Sequence, residues 1–338
     1  MRLSSLAAAL LALLPAMAAA ETPEAFYRGK QITLIVGDDA TGQYVVNGRL
    51  LAQHIVRHIP GQPSIIVQAM PGSSSVAATN YLYEVARRDG TVFGLPNKSV
   101  ALFEASHLAG VRYKSAELEW IGSMSAANNV VVVLASTGVR TLADARQREV
   151  IMGAQGVSGT LAGYPLVLNH LLGTKFKLVL GYAGANLINL AMDRGEVEGR
   201  GSYTWTDLKA SRPEWLEKHS VNILVQIGVR KEPDLPDVPL FTDLGHDAKE
   251  REILTFIASD TLMGRPFFFP PKVPAALVAA MRKAFDETMT DPAFLADAAK
   301  LQTNIQPVSG AELQEKVAET VNAPTDIVAA AERWMTPD

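Results

Sequence analysis

Residues 32–68 read ITLIVGDDATGQYVVNGRLLAQHIVRHIPGQPSIIVQ. The apolar run Ile32–Val36 ends in a small, Gly-containing loop. A helical pattern, Val46–Ile59, follows and is stopped by Pro60-Gly61. Ser64–Gln68 is then a second apolar run of strand length. Ser75–Val85 has helical spacing, and Val92–Leu95 follows the Asp89-Gly90 turn as a third strand. Strands that alternate with helices in this order imply a parallel sheet covered by helices. The strands are continuously apolar rather than alternating, as expected of strands buried on both faces.

A second series begins near Asn129. Val130–Leu134, Val150–Gly153, Phe176–Leu180, Glu196–Gly199 and Asn222–Gln226 read as strands. Ala162–Leu172, stopped by Gly173, and Ala185–Asp193 read as helices. Lys231–Asp243 is Pro-rich and reads as an extended loop. The end of the chain is helical. Pro274–Met289 is followed by a helix opening at Asp291-Pro292, with Asp as N-cap and Pro at the first position. Ser309-Gly-Ala-Glu312 has the capping-box spacing before a last helix. Two such α/β units suggest a cleft between them, beyond the carboxyl ends of the strands.

The N-terminus predicts the compartment. Arg2, the apolar stretch Leu3–Leu14 and Ala18-Ala19-Ala20 before Glu21 form a signal peptide, residues 1–20, with cleavage after Ala20 and export. No later apolar run has transmembrane length. The chain of 338 residues has no Cys, so disulfides and thiol nucleophiles are excluded. A net charge of −4 gives no basic footprint for nucleic acid.

Catalytic motifs are weak. His54 and His58 are four apart on one helix but lack the HExxH arrangement and a third ligand, so they read as a solvated helix face. Gly156-Val-Ser158-Gly-Thr160 approaches a nucleophile elbow, but Thr160 replaces the last Gly. What recurs is small-residue loops between strand and helix: Gly37–Tyr44, Met70–Ser75, Ala154–Gly159 and Gly181–Gly184. A helix N-terminus offers free N–H donors and a favourable dipole to an anion; ordinary tight turns look the same.

The chain resembles the periplasmic substrate-binding proteins of tripartite tricarboxylate transporters, the TctC or Bug-type family. The resemblance runs from about Phe26 to the last helix. It is carried by FYRGKQI (26–32), the loop before Arg49, IPGQPSIIVQAMPG, NYLYEVARRDGTVFG, LLGTKFKLVLGYAGANLINLAMDRGEVEGR, Trp205, LPDVPLFTDL and GRPFFFPPKVPAALVAAMRKAFDETMTDP, in that order. It implies a two-lobed Venus flytrap, each lobe a mostly parallel sheet flanked by helices. Lobe 1 would be 21–125 plus 262–338 and lobe 2 would be 126–261, with crossings near Ser123–Asn128 and Ser259–Arg265. In the family a carboxylate metabolite binds mainly through backbone N–H groups, hydroxyls and bridging waters. The matching loops place Thr41, Gly42, Gln43, Tyr44, Gly72, Ser73, Ser74, Gln155, Gly156, Ser158 and Gly159 at the site, with Tyr182 closing it. Asn97 and Lys98 follow the third strand, and Lys98 is a cation able to pair with a carboxylate or to sit solvated. Tyr203, with Trp205, would wall the site or pack in the core.

The resemblance also implies a small-carboxylate ligand, membrane transporter subunits as partners, a monomer, and neither cofactor nor metal. A ligand-sensing receptor for a sensor kinase would use the same cleft. A periplasmic hydrolase is a third reading, with no convincing nucleophile and base. One departure stands out. Thr41-Gly42 replaces the family's paired Gly, Val45 stands where an Asp precedes the Arg, and Asp38 and Asp39 occupy positions that are usually small or apolar. Either aspartate could turn outward to cap the following helix, or face the cleft and bind an amine, hydroxyl or metal-complexed ligand.

Overall fold

In the computed structural model, which describes residues 21–337 except Thr41, Ala127, Ser158, Ala183 and Gln302, the chain builds two mixed sheets flanked by helices. The signal peptide, Thr41 and Ser158 lie outside the described residues. The strands are β1 (Gln31–Val36), β2 (Ser64–Ala69), β3 (Val92–Leu95), β4 (Glu119–Ser123), β5 (Asn129–Leu134), β6 (Val150–Gly153), β7 (Phe176–Val179), β8 (Gly199–Thr204), β9 (Val221–Ile227), β10 (Pro266–Phe269) and β11 (Val308–Ser309). The first sheet has the order β11-β4-β10-β3-β1-β2 and the second β7-β6-β8-β5-β9.

The expected doubly wound units are β2-β1-β3 and β7-β6-β8, all parallel pairs. Antiparallel pairing enters with β5, which pairs β8 and β9, with β10, which pairs β3 and β4, and with the short β11 on β4. β5 and β10 are the first strands after the chain passes from one sheet to the other, so each passage delivers the chain against the prevailing direction. The two passages lie side by side. The Met124 N–H donates to Arg265 O (3.0 Å) and the Gly264 N–H to Ser125 O (2.9 Å).

Burial on both faces explains the continuous apolar strands. In β1, Leu34 and Val36 pack in one cluster and Ile35 in the opposite one. In β5, Val131 and Val133 face one side, Val130 and Val132 the other. A period of two therefore feeds two cores at once.

The structure departs from the expected elements in two places. The strand expected at Glu196–Gly199 is instead Gly199–Thr204; Gly195 turns with φ +72° just before it. Its sequence, GRGSYT, has no apolar run, yet the strand is almost wholly buried because it is central in its sheet. His54 is not on a solvated face: it is buried against Phe294, with Nε2 3.1 Å from Asp297 Oδ2. His58 pairs separately with Asp291 at 3.0 Å. The last helix is Thr325–Met335. Its residues Ile327, Val328, Ala331 and Trp334 pack in the same core as Val131, Val133, Tyr164 and Leu168 of the second unit.

Candidate functional site

The loops after β1, β2 and β3 are tied together by one buried hydroxyl. Ser75 Oγ donates to Gly37 O (2.6 Å) and accepts from the Asn97 N–H (2.9 Å). Reaching that position bends the second loop through Gly72, Ser73, Ser74 and Ser75, all at positive φ (143°, 46°, 52° and 76°). Three consecutive non-Gly residues in the left-handed region are strained. The buried hydrogen bonds of Ser75 are what hold them there.

The first loop answers the question raised by its two carboxylates. Asp38 folds back over its own loop. Its Oδ1 accepts from the Asp39 N–H (2.9 Å) and its Oδ2 from the Tyr44 N–H (3.3 Å), in the first turn of helix Gln43–Ile55. Gly42, the N-cap residue, offers no side chain for this, so Asp38 supplies the acceptor from outside the helix. Asp39 is exposed.

Between the two sheets lies a cleft of about 600 Å³. Gln43, Asn47 and Lys98 line it from the first unit. Asn129, Thr160, Arg200, Ser202, Tyr203, Thr204 and Asp207 line it from the second, and Ser125, Gly264 and Arg265 line it from the two passages. Thr160 begins helix Thr160–Leu172 and Ala185 begins helix Ala185–Asp193; among the described residues neither N-terminus has a side-chain cap. Their N–H donors therefore sit at the cleft where an anion would be favoured.

Three cations reach this cleft, in different states. Lys98 Nζ lies 3.5 Å from Asp260 Oδ2, so its charge is already matched. Arg200 is 6% exposed and its guanidinium stacks 3.9 Å over the Tyr203 ring. Its Nε donates to Ser202 O (2.9 Å) and its Nη1 to Asn189 Oδ1 (2.7 Å), both neutral acceptors. Burial pulls its pKa down to about 10, opposed by Tyr203 and Asp207, so it stays charged at neutral pH. Arg265 stacks 4.6 Å over the Tyr44 ring, donates through Nη1 to Gly264 O (2.6 Å), and has a buried Nε with no hydrogen-bond partner among the described residues. Neither arginine forms a salt bridge among the described residues.

A scan against protein-family models finds no match, and neither does a search of curated proteins. Solved structures do match. A TctC solute binding protein from Polaromonas superimposes with a TM-score of 0.70 at 18% identity, over 90% of this chain and 99% of that one. A protein of R. palustris solved with adipate gives 0.59 at 17%, over 90% and 97%. MatC from Rhodopseudomonas palustris, solved with malate, gives 0.59 at 15%, over 88% and 99%. The fold is that of the TctC and Bug-type periplasmic solute-binding proteins. It is two-lobed and α/β, as the sequence implied.

Within this fold the expected site residues separate. Gln43, Lys98 and Tyr203 line the cleft. Tyr44 backs it, holding Arg265 on its ring and accepting the Lys98 N–H at its hydroxyl (3.2 Å). Gly42 caps the helix that carries Gln43, and Asn97 is held by Ser75 at its N–H and caps Ser99 N with its side chain (2.9 Å). Gly72, Ser73 and Ser74 are exposed and lie outside the lining. Gln155, Gly156 and Gly159 lie on the loop before Thr160, outside the lining, and Tyr182 packs against the core that holds Ile188. Sequence reasoning missed Arg200 and Arg265. The signal for Arg265 was present in the second crossing segment; Arg200 sat in a strand that had been placed too early.

Proposed function

We propose that this chain is a periplasmic solute-binding protein that captures a small carboxylate between its lobes. The observation that carries this reading is a polar cleft between two sheets in which two guanidiniums face the ligand space without a carboxylate partner of their own. The likeness to solved TctC-type proteins supports the same class. We draw the lobes as 21–125 with 262–324, and 126–261 with the last helix, and the paired passages 123–128 and 259–265 as the hinge. Ligand held by both lobes would bind the closed arrangement better than the open one and so shift the population toward it. The protein is exported, cleaved after Ala20, acts as a monomer, and delivers its ligand to the membrane subunits of a tripartite tricarboxylate transporter. We assign it no catalytic step, cofactor or metal.

A thermal-shift panel of mono-, di- and tricarboxylates, aromatic acids, amino acids and neutral sugars tests the reading. A ligand at ~100 times its Kd adds about 2.7 kcal/mol, readily seen in a melt. Stabilisation by acids supports capture of a carboxylate. Stabilisation by neutral sugars alone would sink it.

A further inference from the structure

We propose that a groove behind the hinge sets ligand affinity from a distance: it narrows as the cleft opens, so the side chains that fill it decide the balance between open and closed arrangements. This rests on the two-lobed capture reading and adds a control site outside the cleft.

The two passages have a front and a rear. Ser125, Gly264 and Arg265 face the ligand cleft. Their neighbours Ala126, Thr261 and Leu262 line a separate space of about 340 Å³, which shares Val229 and Leu262 with a groove of about 520 Å³. Among the described residues, none lines both the cleft and these rear spaces. Consecutive residues of an extended segment point to opposite sides, so the hinge runs between a cavity in front and a cavity behind. Rotation about such a hinge is a seesaw in which opening the front brings the rear walls together.

The rear walls come from different lobes. Thr255 and Phe256 stand on helix Ala248–Ala258, and Phe256 belongs to the core of the second lobe. Lys316 and Thr320 stand on helix Gly310–Val321, whose Leu313 and Val317 pack with Trp120 of the first lobe. Val229, between them, packs against both cores. The polar groups do not resist narrowing. The hydroxyls of Thr255, Ser259 and Thr320 donate to the preceding turn, to Arg251 O (2.7 Å), Phe256 O (2.8 Å) and Lys316 O (2.8 Å), so contact between the walls strands none of them. Lys316 pairs with Glu319 on its own helix (2.8 Å). Removing Val229, Phe256 and Leu262 further from water favours the narrow rear, and hence the open cleft. Ligand in front pulls the other way. Residues 322–324 join the two walls at one end of the groove and limit how far the rear can part. The apparent Kd is the intrinsic Kd divided by the fraction of protein in the competent arrangement, so the rear changes affinity without touching the ligand.

The test fills the groove. Thr255 is exposed, so Thr255→Trp adds volume there without entering the core; Glu319→Trp, also exposed, fills it from the facing wall. The chain has no Cys, so spin labels at Asp39→Cys and Leu187→Cys, both exposed, report the width of the cleft mouth. Asp39 lies on the loop before Gln43, and Leu187 follows the lining residue Asn186. Pulsed electron paramagnetic resonance is recorded without ligand on labelled parent and fillers, and unlabelled proteins are titrated calorimetrically with adipate and with malate. Each filler should shift the label distances to shorter values and tighten whichever acid binds the parent by about threefold or more. If Thr255→Trp does not fold, Glu319→Trp carries the test. Unchanged distances in the folded fillers, or shorter distances with unchanged affinity, would overturn the rear control and leave the carboxylate reading standing. If neither acid binds the parent, the carboxylate reading loses its support, and the distances alone decide whether the groove governs the open–closed balance.

Discussion

Lys98 Nζ sits 3.5 Å from Asp260 Oδ2, and Asp260 is 2% exposed. The cation that the sequence offered most plainly to a ligand is thus committed to the protein. Asp260 lies in the return passage and also accepts from Ser99 Oγ (2.9 Å), while its Oδ1 has no hydrogen-bond partner among the described residues. The pair joins the loop after β3 to the return passage.

Removing either member should have opposite effects on binding. Lys98→Met strands a buried carboxylate and should lower stability by about 2 kcal/mol, discounted from a fully buried pair because Lys98 is partly exposed. Its effect on anion affinity should be smaller than that of Arg265→Met. Asp260→Asn unmasks Lys98 and should strengthen anion binding several-fold. Titration of both variants with a carboxylate that stabilises the parent checks this; weaker binding to Asp260→Asn would show that the acid supports the site rather than masking it.

The capping role of Asp38 gives a second prediction. Asp38 is outside the cleft lining, so Asp38→Asn, which keeps an acceptor for the Tyr44 N–H and gives up only the one for the exposed Asp39 N–H, should cost little stability and leave carboxylate affinity nearly unchanged. Asp38→Ala should lower stability by about 1 kcal/mol through the lost cap. Gly42→Ala should resemble it, because a Cβ at Gly42 would collide with the Asp38 carboxylate and displace it, while the Gly42 φ of −68° is open to any residue. Thermal melts of the three variants suffice. A large loss of carboxylate affinity in Asp38→Asn would place this aspartate in the binding machinery.

Much of this architecture was legible because its signals are local. Ile32–Val36 and Val92–Leu95 announce themselves by apolar runs, and Asp291 caps its helix through Ala293 and Phe294 as the Asp-Pro pair implied. The candidate site was less legible. β8 is buried by its neighbours in the sheet rather than by its own apolar residues, so GRGSYT carries no hydrophobic signature, and Arg200 was overlooked with it. Arg265 becomes a site residue only when Tyr44, from the other end of the chain, lies under it. The same applies to His54, whose burial depends on Phe294 and Asp297, and to the last helix, whose apolar stripe could have covered either lobe. Periodicity says that a face is buried and is silent about what buries it.

Ser75 links stability to site geometry. Ser75→Ala leaves the Asn97 N–H without its acceptor and keeps a Cβ at φ +76°, and should lower stability by about 1–3 kcal/mol. Ser75→Gly loses the same hydrogen bonds but relieves the backbone, so it should be the milder change by up to about 1 kcal/mol. Both should weaken ligand binding, because the segment bearing Lys98 is no longer fixed to the loop before Gln43. Melts and titrations of the two variants would check the order; equal destabilisation would mean that the left-handed conformation stores no strain.

Acid should unfasten helix Gln43–Ile55 from the C-terminal helices of its lobe. Hydrogen bonds from Arg57 (2.6 Å) and then His58 (3.0 Å) hold the Asp291 carboxyl well below the usual carboxylate range. A carboxyl depressed in the folded state contributes stability that is fully present above its unfolded pKa, about 3.9, and is lost as pH falls through the folded value. Asp291→Asn keeps an Oδ1 acceptor as N-cap for helix Pro292–Lys300 and removes the charge and the oxygen that accepts from Arg57 and His58. The parent should therefore melt above Asp291→Asn at neutral pH, with the gap constant down to about pH 5 and closing below about pH 4. Arg57→Met should show the same pH-dependent loss. A gap that persisted unchanged to about pH 2 would show that the aspartate acts through packing or capping rather than through its charge.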